Sequence, residues 1–463
     1  MIKKLLFVLL IPIFGFGQNP NYSEDIAPII YGKCLQCHYD GGIAPLTLET
    51  YASVVYNAGM VQNVTSTGEM PPWPADTLFQ NYANENILSM NEISTIMDWI
   101  TNGVPIGDTS LLPPMPIFGN SSQLGVPDLE LQMPTYASTA TSNSDDYVCF
   151  SIPTGLLQNR RIKAIEVIPG NLQTVHHVLV SVDPLPNSFI VTTADCMGPQ
   201  GDMLYSYAPG ALPLTYPENT NNSFGVVLPA NSSVSFAMHY PEGSLGQLDS
   251  TKLRFYFYPQ TTVIREISYD FLINEGLFGG PFYLPPNQIT EITGSFGPTN
   301  QDYSFMSVFP HMHLLGKDMV IYAVTPLNDT IKLIKINKWD FEWQYSYFFE
   351  KFIKIPAGSI IYAKGNYDNT VSPSNPIPVT VQSGFNTQDE MFIGGFQYLP
   401  YQLGDENISI DNGLISSNFN DVATISSSRD LFKIINTLGQ SAHPKLNTPL
   451  FYIYDDGTVE KRI

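Results

Sequence analysis

The first 17 residues differ from the rest of the chain in how apolar and polar residues are arranged. Lys3 and Lys4 precede a mainly apolar run over residues 5–16, and the small residue Gly17 separates this run from Gln18. This run is shorter than the ~20 residues needed to span a bilayer, so residues 1–17 are predicted to be a secretory signal peptide, not a membrane anchor. The mature protein is therefore expected outside the cytoplasm, where disulfides persist.

Helical periodicity is largely confined to the first hundred residues. Ser89 is a suitable N-cap, and an apolar stripe at spacings of three and four runs through Ile93, Met97 and Ile100. Asn102 and the glycine after it supply a stop signal. The pattern predicts a helix that closes a small N-terminal domain.

The sequence pattern changes after residue 110. Residues 111–125 are rich in Pro, Gly, Ser and Asn and are predicted to be a linker. The later segments alternate in the manner of short strands joined by turns. A chain of 463 residues is too long for one core. The predicted fold is therefore multidomain and mainly β, with a small α-helical domain first and a short β module last.

The composition and charge narrow the functional classes. Hydrophobic residues make up 43% and aromatic residues 12% of the chain, as in globular proteins. The 42 acidic residues outnumber the 21 basic ones, which gives a formal net charge of −21. Nucleic acid and anionic membrane surfaces repel such a chain, so neither is expected as a partner.

A Cys-x-x-Cys-His pattern occurs at Cys34, Cys37 and His38. Two thiols at this spacing bond the vinyl groups of a haem, and the adjacent imidazole becomes an axial iron ligand. A local disulfide or half of a zinc site are the alternatives. No second cysteine pair follows at zinc-site spacing, which favours haem.

The other axial ligand is expected from a methionine downstream. Met70 opens the sequence Met-Pro-Pro-Trp, a rigid loop that suits the presentation of a thioether, and Met60 is the competing position. Residues 18–110 thereby resemble the class I-like cytochrome c domains of the MPPW type found fused to larger enzymes. The resemblance implies one covalently attached haem c.

Most of the seven histidines fall into two groups on strand-like segments. His311 and His313 flank Met312, so both imidazoles point to one face of an extended segment while Met312 faces the other way and packs. His176 and His177 are adjacent. Side chains of adjacent strand residues diverge, so both imidazoles can reach one metal only across a bulge or irregular step.

Two further residues complete the groups. His239 lies on another strand-like segment, and Met391 follows an acidic turn at the start of an apolar strand. His239 alone would be read as a core histidine. Together they predict one set of three histidines (His176, His177, His239) and one of two histidines and a methionine (His311, His313, Met391). Imidazole suits both copper states and a thioether selects Cu(I), whereas catalytic zinc takes three strong ligands without methionine.

The order His-His, His-Tyr, His-x-His, Glu-Met resembles that of the copper type II, ascorbate-dependent monooxygenases, the family of peptidylglycine α-hydroxylating monooxygenase and dopamine β-monooxygenase. The resemblance spans residues 126–401 and includes the motifs at 208–210, 228–229 and 339–344. It implies two copper ions, one per ligand set, with O₂ bound at the set that contains Met391.

The same resemblance implies two jelly-roll-like β-sandwich lobes, residues 126–265 and 266–408, whose coppers face each other across a wet cleft. Cys149 and Cys196 are left over after haem attachment. An even pair in an exported lobe is expected to form a disulfide, and both positions match a bridge in the family. Two free buried thiols are the alternative.

Three positions depart from the peptide-processing members of the family. Those members have an arginine where Phe309 stands, and an asparagine and a tyrosine where Ile393 and Gly395 stand. These groups bind a peptide carboxylate, which needs such partners when buried. A less polar or uncharged C–H substrate is therefore expected.

Residues 409–463 read as strand pairs around turns. They resemble the C-terminal sorting module of type IX secretion, which implies that machinery as a partner and a secreted or outer-membrane location in a Gram-negative bacterium. A terminal β cap is the alternative. His443 is expected to be exposed and without a role.

The predicted function is an exported copper-dependent monooxygenase that hydroxylates a C–H bond with O₂. Electrons are expected from an ascorbate-like reductant or redox protein, with the haem domain as a relay. A haem and copper electron-transfer or copper-handling protein without hydroxylase activity is the main alternative. An adhesive β protein with relic sites is a third.

Overall fold

The computed structural model describes residues 19–116, 124–142, 144–185, 196, 201–274 and 282–410, together with strand backbone at 189–191, 431–436, 450–454 and 459–462. The predicted signal peptide, His443, part of the linker and most of the C-terminal module lie outside the described residues. The chain divides into a unit of residues 1–417 and a unit of residues 418–463. No helix among the described residues is long and apolar enough to cross a bilayer.

The N-terminal part of the first unit is helical. Its elements are a π-helical turn (Tyr22–Ile26), α1 (Ala27–Lys33), α2 (Tyr51–Tyr56), α3 (Ala58–Ser66), α4 (Met90–Thr101) and a 3-10 turn (Thr109–Leu111). Ser89 and Glu92 form a reciprocal capping box at the start of α4, and Asn102 caps its end. The predicted helix is therefore present, but its buried residues are Ile96 and Trp99, whereas Met97 of the predicted stripe is 39% exposed.

The first β lobe follows the linker. Its strands are β1 (Leu129–Gln132), β2 (Tyr136–Ala137), β3 (Asp146–Pro153), β4 (Arg160–Ile168), β5 (His177–Asp183), β6 (Phe189–Val191), β7 (Asp202–Tyr207), β8 (Leu214–Thr215), β9 (Ser223–Leu228), β10 (Ser233–Tyr240), β11 (Leu248–Asp249), β12 (Lys252–Phe257) and β13 (Ile264–Glu266). One sheet has the order β1-β12-β4-β9-β13 with β8 beside β4, and a second has the order β6-β3-β10-β5-β7.

The second β lobe has the same two-sheet plan. Its strands are β14 (Ser268–Ile273), β15 (Tyr283–Leu284), β16 (Gln288–Phe296), β17 (Tyr303–His311), β18 (Gly316–Val324), β19 (Thr330–Ile336), β20 (Tyr347–Ile355), β21 (Ile360–Asn369), β22 (Val381–Gln382) and β23 (Ile393–Pro400). The main sheets have the orders β14-β23-β17-β20 and β16-β21-β18-β19. The mainly β architecture with several sheets agrees with the predicted fold class.

The strands that carry the central histidines are buried along nearly their whole length. Every residue of β10 is buried, as is every residue of β17 after Tyr303. Their sequences are correspondingly continuous in apolar and small residues, whereas β18 and β21 alternate between buried and partly exposed positions. The two histidine-bearing strands therefore hold their side chains in the interior of the unit.

The helical N-terminal part is joined to the second β lobe by backbone pairing. Isolated bridges connect Ala75 with Ile336 and Tyr82 with Phe349. The Tyr82 hydroxyl donates to the carbonyl of Leu333 over 2.9 Å. Residues 75–84 therefore lie along β19 and β20 and connect the helical part to the second β lobe.

The C-terminal unit contains a three-stranded antiparallel sheet. Its strands are β24 (Leu431–Asn436), β25 (Leu450–Tyr454) and β26 (Val459–Arg462), in that order. The predicted strand pairs are thus present, while the sorting role stays a prediction.

The predicted disulfide is confirmed. Cys149 and Cys196 are bonded, with Cα atoms 5.4 Å apart, and the bond closes a loop with a sequence separation of 47. Both half-cystines are buried, next to Ala237 and Leu179. The bond ties β3 to the segment after β6, on the side of β10 that carries the histidine.

Replacing both cysteines, as Cys149→Ala with Cys196→Ala, is expected to lower the free energy of unfolding by about 2–4 kcal/mol, because the unfolded chain gains loop entropy. Urea unfolding of the metal-free protein, followed by circular dichroism, measures the difference. A thiol reductant should destabilise the wild-type protein and leave the double variant unchanged. Equal unfolding free energies for the two proteins would contradict the expectation.

Candidate metal centres

The strand register of the first lobe places three histidines side by side. β10 pairs with β5 so that His239 lies directly opposite His177. His176 precedes the regular part of β5, and its backbone N–H donates to the carbonyl of His239 over 3.0 Å. This irregular step in the strand allows the adjacent residues His176 and His177 to direct both imidazoles to one point.

The Nδ1 atoms of the three histidines converge. Nδ1 of His177 lies 3.2 Å from Nδ1 of His176 and 3.2 Å from Nδ1 of His239. Nε2 of His239 lies 3.4 Å from Oδ1 of Asp145, which favours an N–H at Nε2 and a lone pair at Nδ1. Nitrogen lone pairs that face one another in the interior fit a shared cation.

Burial keeps the candidate ligands neutral. It lowers the pKa of His176 to about 3 and that of His313 to about 4. Burial, reinforced by the neighbouring imidazoles, also holds the pKa values of His177 and His311 well below their usual range. Neutral imidazoles bind metals without first losing a proton.

The second lobe presents its histidines as the sequence predicted. His311 is the last residue of β17, and His313 follows two residues later, with ring centroids 5.1 Å apart. Nδ1 of His313 lies 3.1 Å from the carbonyl oxygen of Asp389, so this nitrogen donates and Nε2 keeps its lone pair. Met312 is fully buried in the core, on the other side of the segment.

Glu390 ties the segment of His313 to the segment of Met391. Its carboxylate accepts the backbone N–H groups of His313 over 2.9 Å, Leu315 over 2.6 Å and Met391 over 3.2 Å. The side chain is fully buried, and burial raises the pKa of Glu390 to about 8 even though these N–H groups oppose the shift. One side chain therefore fixes the spacing between two candidate ligands.

One small cavity joins the two sets. It has a volume of about 90 Å³ and is lined by His177 from the first set and by His311, His313 and Met391 from the second. The other described lining residues are mainly apolar: Tyr147, Leu179, Cys196, Ser206, Tyr207, Ala237, Phe271, Phe309, Gln344, Phe385 and Ile393. The structure therefore brings Met391 to the same space as its two predicted partners.

Phe341 lies between the sets. Its ring stacks on His176, with centroids 5.1 Å apart and planes at 21°, and meets His313 edge-on at 5.8 Å. The family resemblance implied a wet cleft between the two sets, and here an aromatic side chain lies between one histidine of each set.

Asp145 is a site residue that the sequence patterns did not reveal. Besides its contact with His239, its Oδ2 accepts the backbone N–H of Thr387 over 3.1 Å. Burial alone would raise the pKa of Asp145, but the contacts with His239 and Thr387 outweigh burial and lower it to about 2. Asp145 lies just before β3, outside any periodic segment, so only the fold identifies it.

The Cys-x-x-Cys-His segment follows α1. Cys34 and Cys37 are free thiols, and Nδ1 of His38 lies 3.0 Å from the carbonyl oxygen of Leu46, which leaves Nε2 available as a ligand. Trp73 Nε1 is buried and has no hydrogen-bond partner among the described residues. These features fit attachment of a haem with His38 as an axial ligand.

The second axial ligand stays a prediction. Met70 is half-buried, and its backbone N–H donates to the carbonyl of Val64 over 3.0 Å. Met60 is 57% exposed on α3. A thioether that ligates iron is shielded from water, so these positions favour Met70 over Met60.

A sequence profile described as "Copper type II ascorbate-dependent monooxygenase, C-terminal domain" matches residues 281–409. The second β lobe is similar to a copper monooxygenase domain. The matched range contains His311, His313 and Met391, and it supports the family that the motifs suggested. The family binds copper. No curated protein matches the chain.

Similarity to solved structures is weak. The structure of infectious bursal disease virus, Gx strain, is 11% identical with a TM-score of 0.17, and the match covers 60% of this chain and 72% of that chain. A variant of Bacillus subtilis oxalate decarboxylase is 9% identical with a TM-score of 0.12, and the match covers 63% of this chain and 80% of that chain. Neither similarity supports an argument about function.

The metal-free protein is expected to lose stability as the pH falls from about 6.5 to 4.5. The unfolded chain protonates its histidines near pH 6.5, whereas the four buried histidines stay neutral, so the unfolded state binds more protons. Glu390 opposes this with one proton, since its pKa is raised on folding. For these five groups the difference approaches three protons at about pH 5.5, each worth about 1.4 kcal/mol per pH unit.

Thermal unfolding of the metal-free protein at pH 7.5, 6.5, 5.5 and 4.5 tests this expectation. His176→Asn should reduce the pH slope by about one proton. A melting temperature that does not change over this range would contradict the neutral state of the buried histidines.

Glu390→Gln is expected to weaken Cu(I) binding at the second set by about 10–100-fold, since both side-chain oxygens accept backbone N–H groups and an amide nitrogen cannot. Competition with a chromophoric Cu(I) chelator measures the affinity. Glu291→Gln is the matched control, because Glu291 pairs with Lys364 at the surface. An affinity equal to that of the control would contradict the positioning role.

Proposed function

We propose that this protein is an exported copper-dependent monooxygenase that hydroxylates an uncharged, largely apolar C–H substrate with O₂. The proposal rests above all on one observation. His177 of the three-histidine set lines the same cavity as His311, His313 and Met391, which are remote from it in sequence, and His176 and His239 lie beside His177. The similarity of residues 281–409 to a copper monooxygenase domain agrees with this chemistry.

The ligand sets differ in the chemistry that they favour. His176, His177 and His239 offer three nitrogens, a set that is stable in both copper states and suits electron storage. His311, His313 and Met391 include a soft sulfur, which favours Cu(I), the state that reacts with O₂. Copper bound at these sets supplies O₂ activation and the two electrons that the hydroxylation consumes.

The chain's own residues exclude water and fix the ligands. Glu390 and the carbonyl of Asp389 hold the His313 segment, and Asp145 orients His239. The mainly apolar lining of the cavity offers few partners to water, and Phe341 packs between His176 and His313. A dry, preorganised site protects reactive intermediates from side reactions.

The cavity supports an uncharged substrate. Phe309 is buried and stacks near His311, with ring centroids 5.8 Å apart, where peptide-processing members have an arginine. Ile393 lines the cavity, and a Cβ on Gly395 would already lie 3.0 Å from Phe271. No lysine, arginine or carboxylate is among the described lining residues, so a substrate carboxylate would have no ionic partner there.

The N-terminal helical part is proposed to be a haem c domain that delivers electrons to copper. The free thiols of Cys34 and Cys37, the oriented His38 and the half-buried Met70 support this role. Export by residues 1–17 and sorting by residues 409–463 through type IX secretion complete the proposal.

Met391→Leu is expected to reduce substrate-dependent O₂ uptake by about 100-fold or more, because the ligand sulfur is lost while the side-chain volume is kept. The assay uses mature protein with two copper ions and one haem per chain, a panel of small uncharged alkyl-aromatic substrates, and ¹⁸O₂. Met319→Leu, a buried core position, is the matched control and should keep wild-type activity.

Incorporation of ¹⁸O into the product by wild-type and Met319→Leu protein, but not by Met391→Leu, would support the monooxygenase. Haem oxidation by copper without labelled product would favour the electron-transfer alternative. Efficient turnover of glycine-extended peptides would contradict the uncharged substrate class.

A further inference from the structure

The loop between β19 and β20, residues 337–346, contacts both metal sets; we name it the bridging loop. Its Phe341 ring lies between His176 and His313. Trp339 Nε1 donates to the carbonyl of His313 over 3.1 Å. Gln344 is buried and lines the cavity with His311.

The other end of the bridging loop contacts the helical N-terminal part. The Tyr345 ring stacks on Trp73, with centroids 6.2 Å apart and planes at 26°. A Cβ placed on Gly210 would lie 3.3 Å from Cys37 Sγ and 3.5 Å from the Tyr345 hydroxyl oxygen. A haem-attachment cysteine and Tyr345 therefore border the same small space beside Gly210.

Hydrogen bonds hold this contact in place. Asn84 Nδ2 donates to the carbonyl of Ser346 over 3.0 Å, and Asn84 Oδ1 accepts the N–H of Phe348 over 3.1 Å. The Ser346 hydroxyl lies 2.9 Å from that of Ser206 in the first lobe. The end of the bridging loop thus sits where the helical part and both β lobes meet.

We propose that the bridging loop is the electron path from the haem attached at Cys37 to the metal set of His311 and His313, with Tyr345 as its first residue. This proposal rests on the proposed function. Each transfer moves one electron: haem Fe(II) becomes Fe(III), and Cu(II) becomes Cu(I). No proton or covalent bond changes, and an external one-electron donor reduces the haem again.

The proposed path contains a direct covalent link. Tyr345 and Gln344 share a peptide bond, so one backbone link separates the residue beside Cys37 from the residue beside His311. Electron tunnelling weakens exponentially with distance and is stronger through bonds and packed atoms than through open gaps. An interrupted contact at Tyr345 should therefore slow the transfer without changing either metal set.

Flash photoreduction of the haem in the full-length, copper-loaded Cu(II) protein tests the path, in the absence of O₂ and substrate. The recovery of the Fe(III) haem spectrum gives the transfer rate without any turnover. Tyr345→Leu is expected to slow the recovery by about tenfold, whereas Tyr345→Phe, which keeps the ring, should stay near the wild-type rate. Tyr362→Leu is the matched control, since that ring stacks on Tyr322 instead.

Copper content, haem spectrum and melting temperature are measured for every variant. If the Tyr345→Leu variant loses either cofactor, the Asn84→Ala variant is used in its place, because it weakens the same contact and keeps the tyrosine ring. Slower recovery of the Fe(III) haem is expected in that variant too. An unchanged recovery rate in a cofactor-complete Tyr345→Leu or Asn84→Ala variant overturns the path and leaves the proposed function intact. No haem reoxidation by copper in the wild-type protein overturns both the path and the proposed electron relay.

Discussion

The antiparallel pairing of β5 with β10 is the constraint on which the candidate centres depend. It sets His239 opposite His177 and lets the backbone of His176 bond to His239. A shift of one residue in this pairing would turn the side chain of His239 to the other face of the sheet. The disulfide at Cys149 and the complete burial of β10 protect the register on which three converging nitrogens rely.

Burying this many polar groups is costly unless each has a partner. The structure offsets part of the cost with hydrogen bonds from His313 to a carbonyl and from three backbone N–H groups to Glu390, and with the ion-pair contact of Asp145 with His239. The Nδ1 atoms of His176, His177 and His239 face one another at 3.2 Å. A metal ion bound there would add stabilisation to the folded state.

Local spacing explains what could be predicted from the sequence. The N-capped apolar stripe predicts α4, and the His-x-His spacing predicts that Met312 is buried, because each pattern lies within one element. The even cysteine pair, together with the family pattern, predicts the disulfide. Asp145 and the position of Phe341 depend on which loops meet across the two lobes. Sequence periodicity carries no information about which loops contact each other. The pairing of residues 75–84 with β19 and β20 was not predicted for the same reason.

The contact of Asp145 with both His239 and Thr387 has a consequence for the order of loading. An ion bound at the first set would restrict the position of His239 and, through their contact, that of Asp145. Asp145 in turn accepts the backbone N–H of Thr387, in the loop that leads to Met391. Linkage requires the reverse influence to be equally strong. The two ions should then be taken up cooperatively, and chains with a single ion should be scarce during a titration.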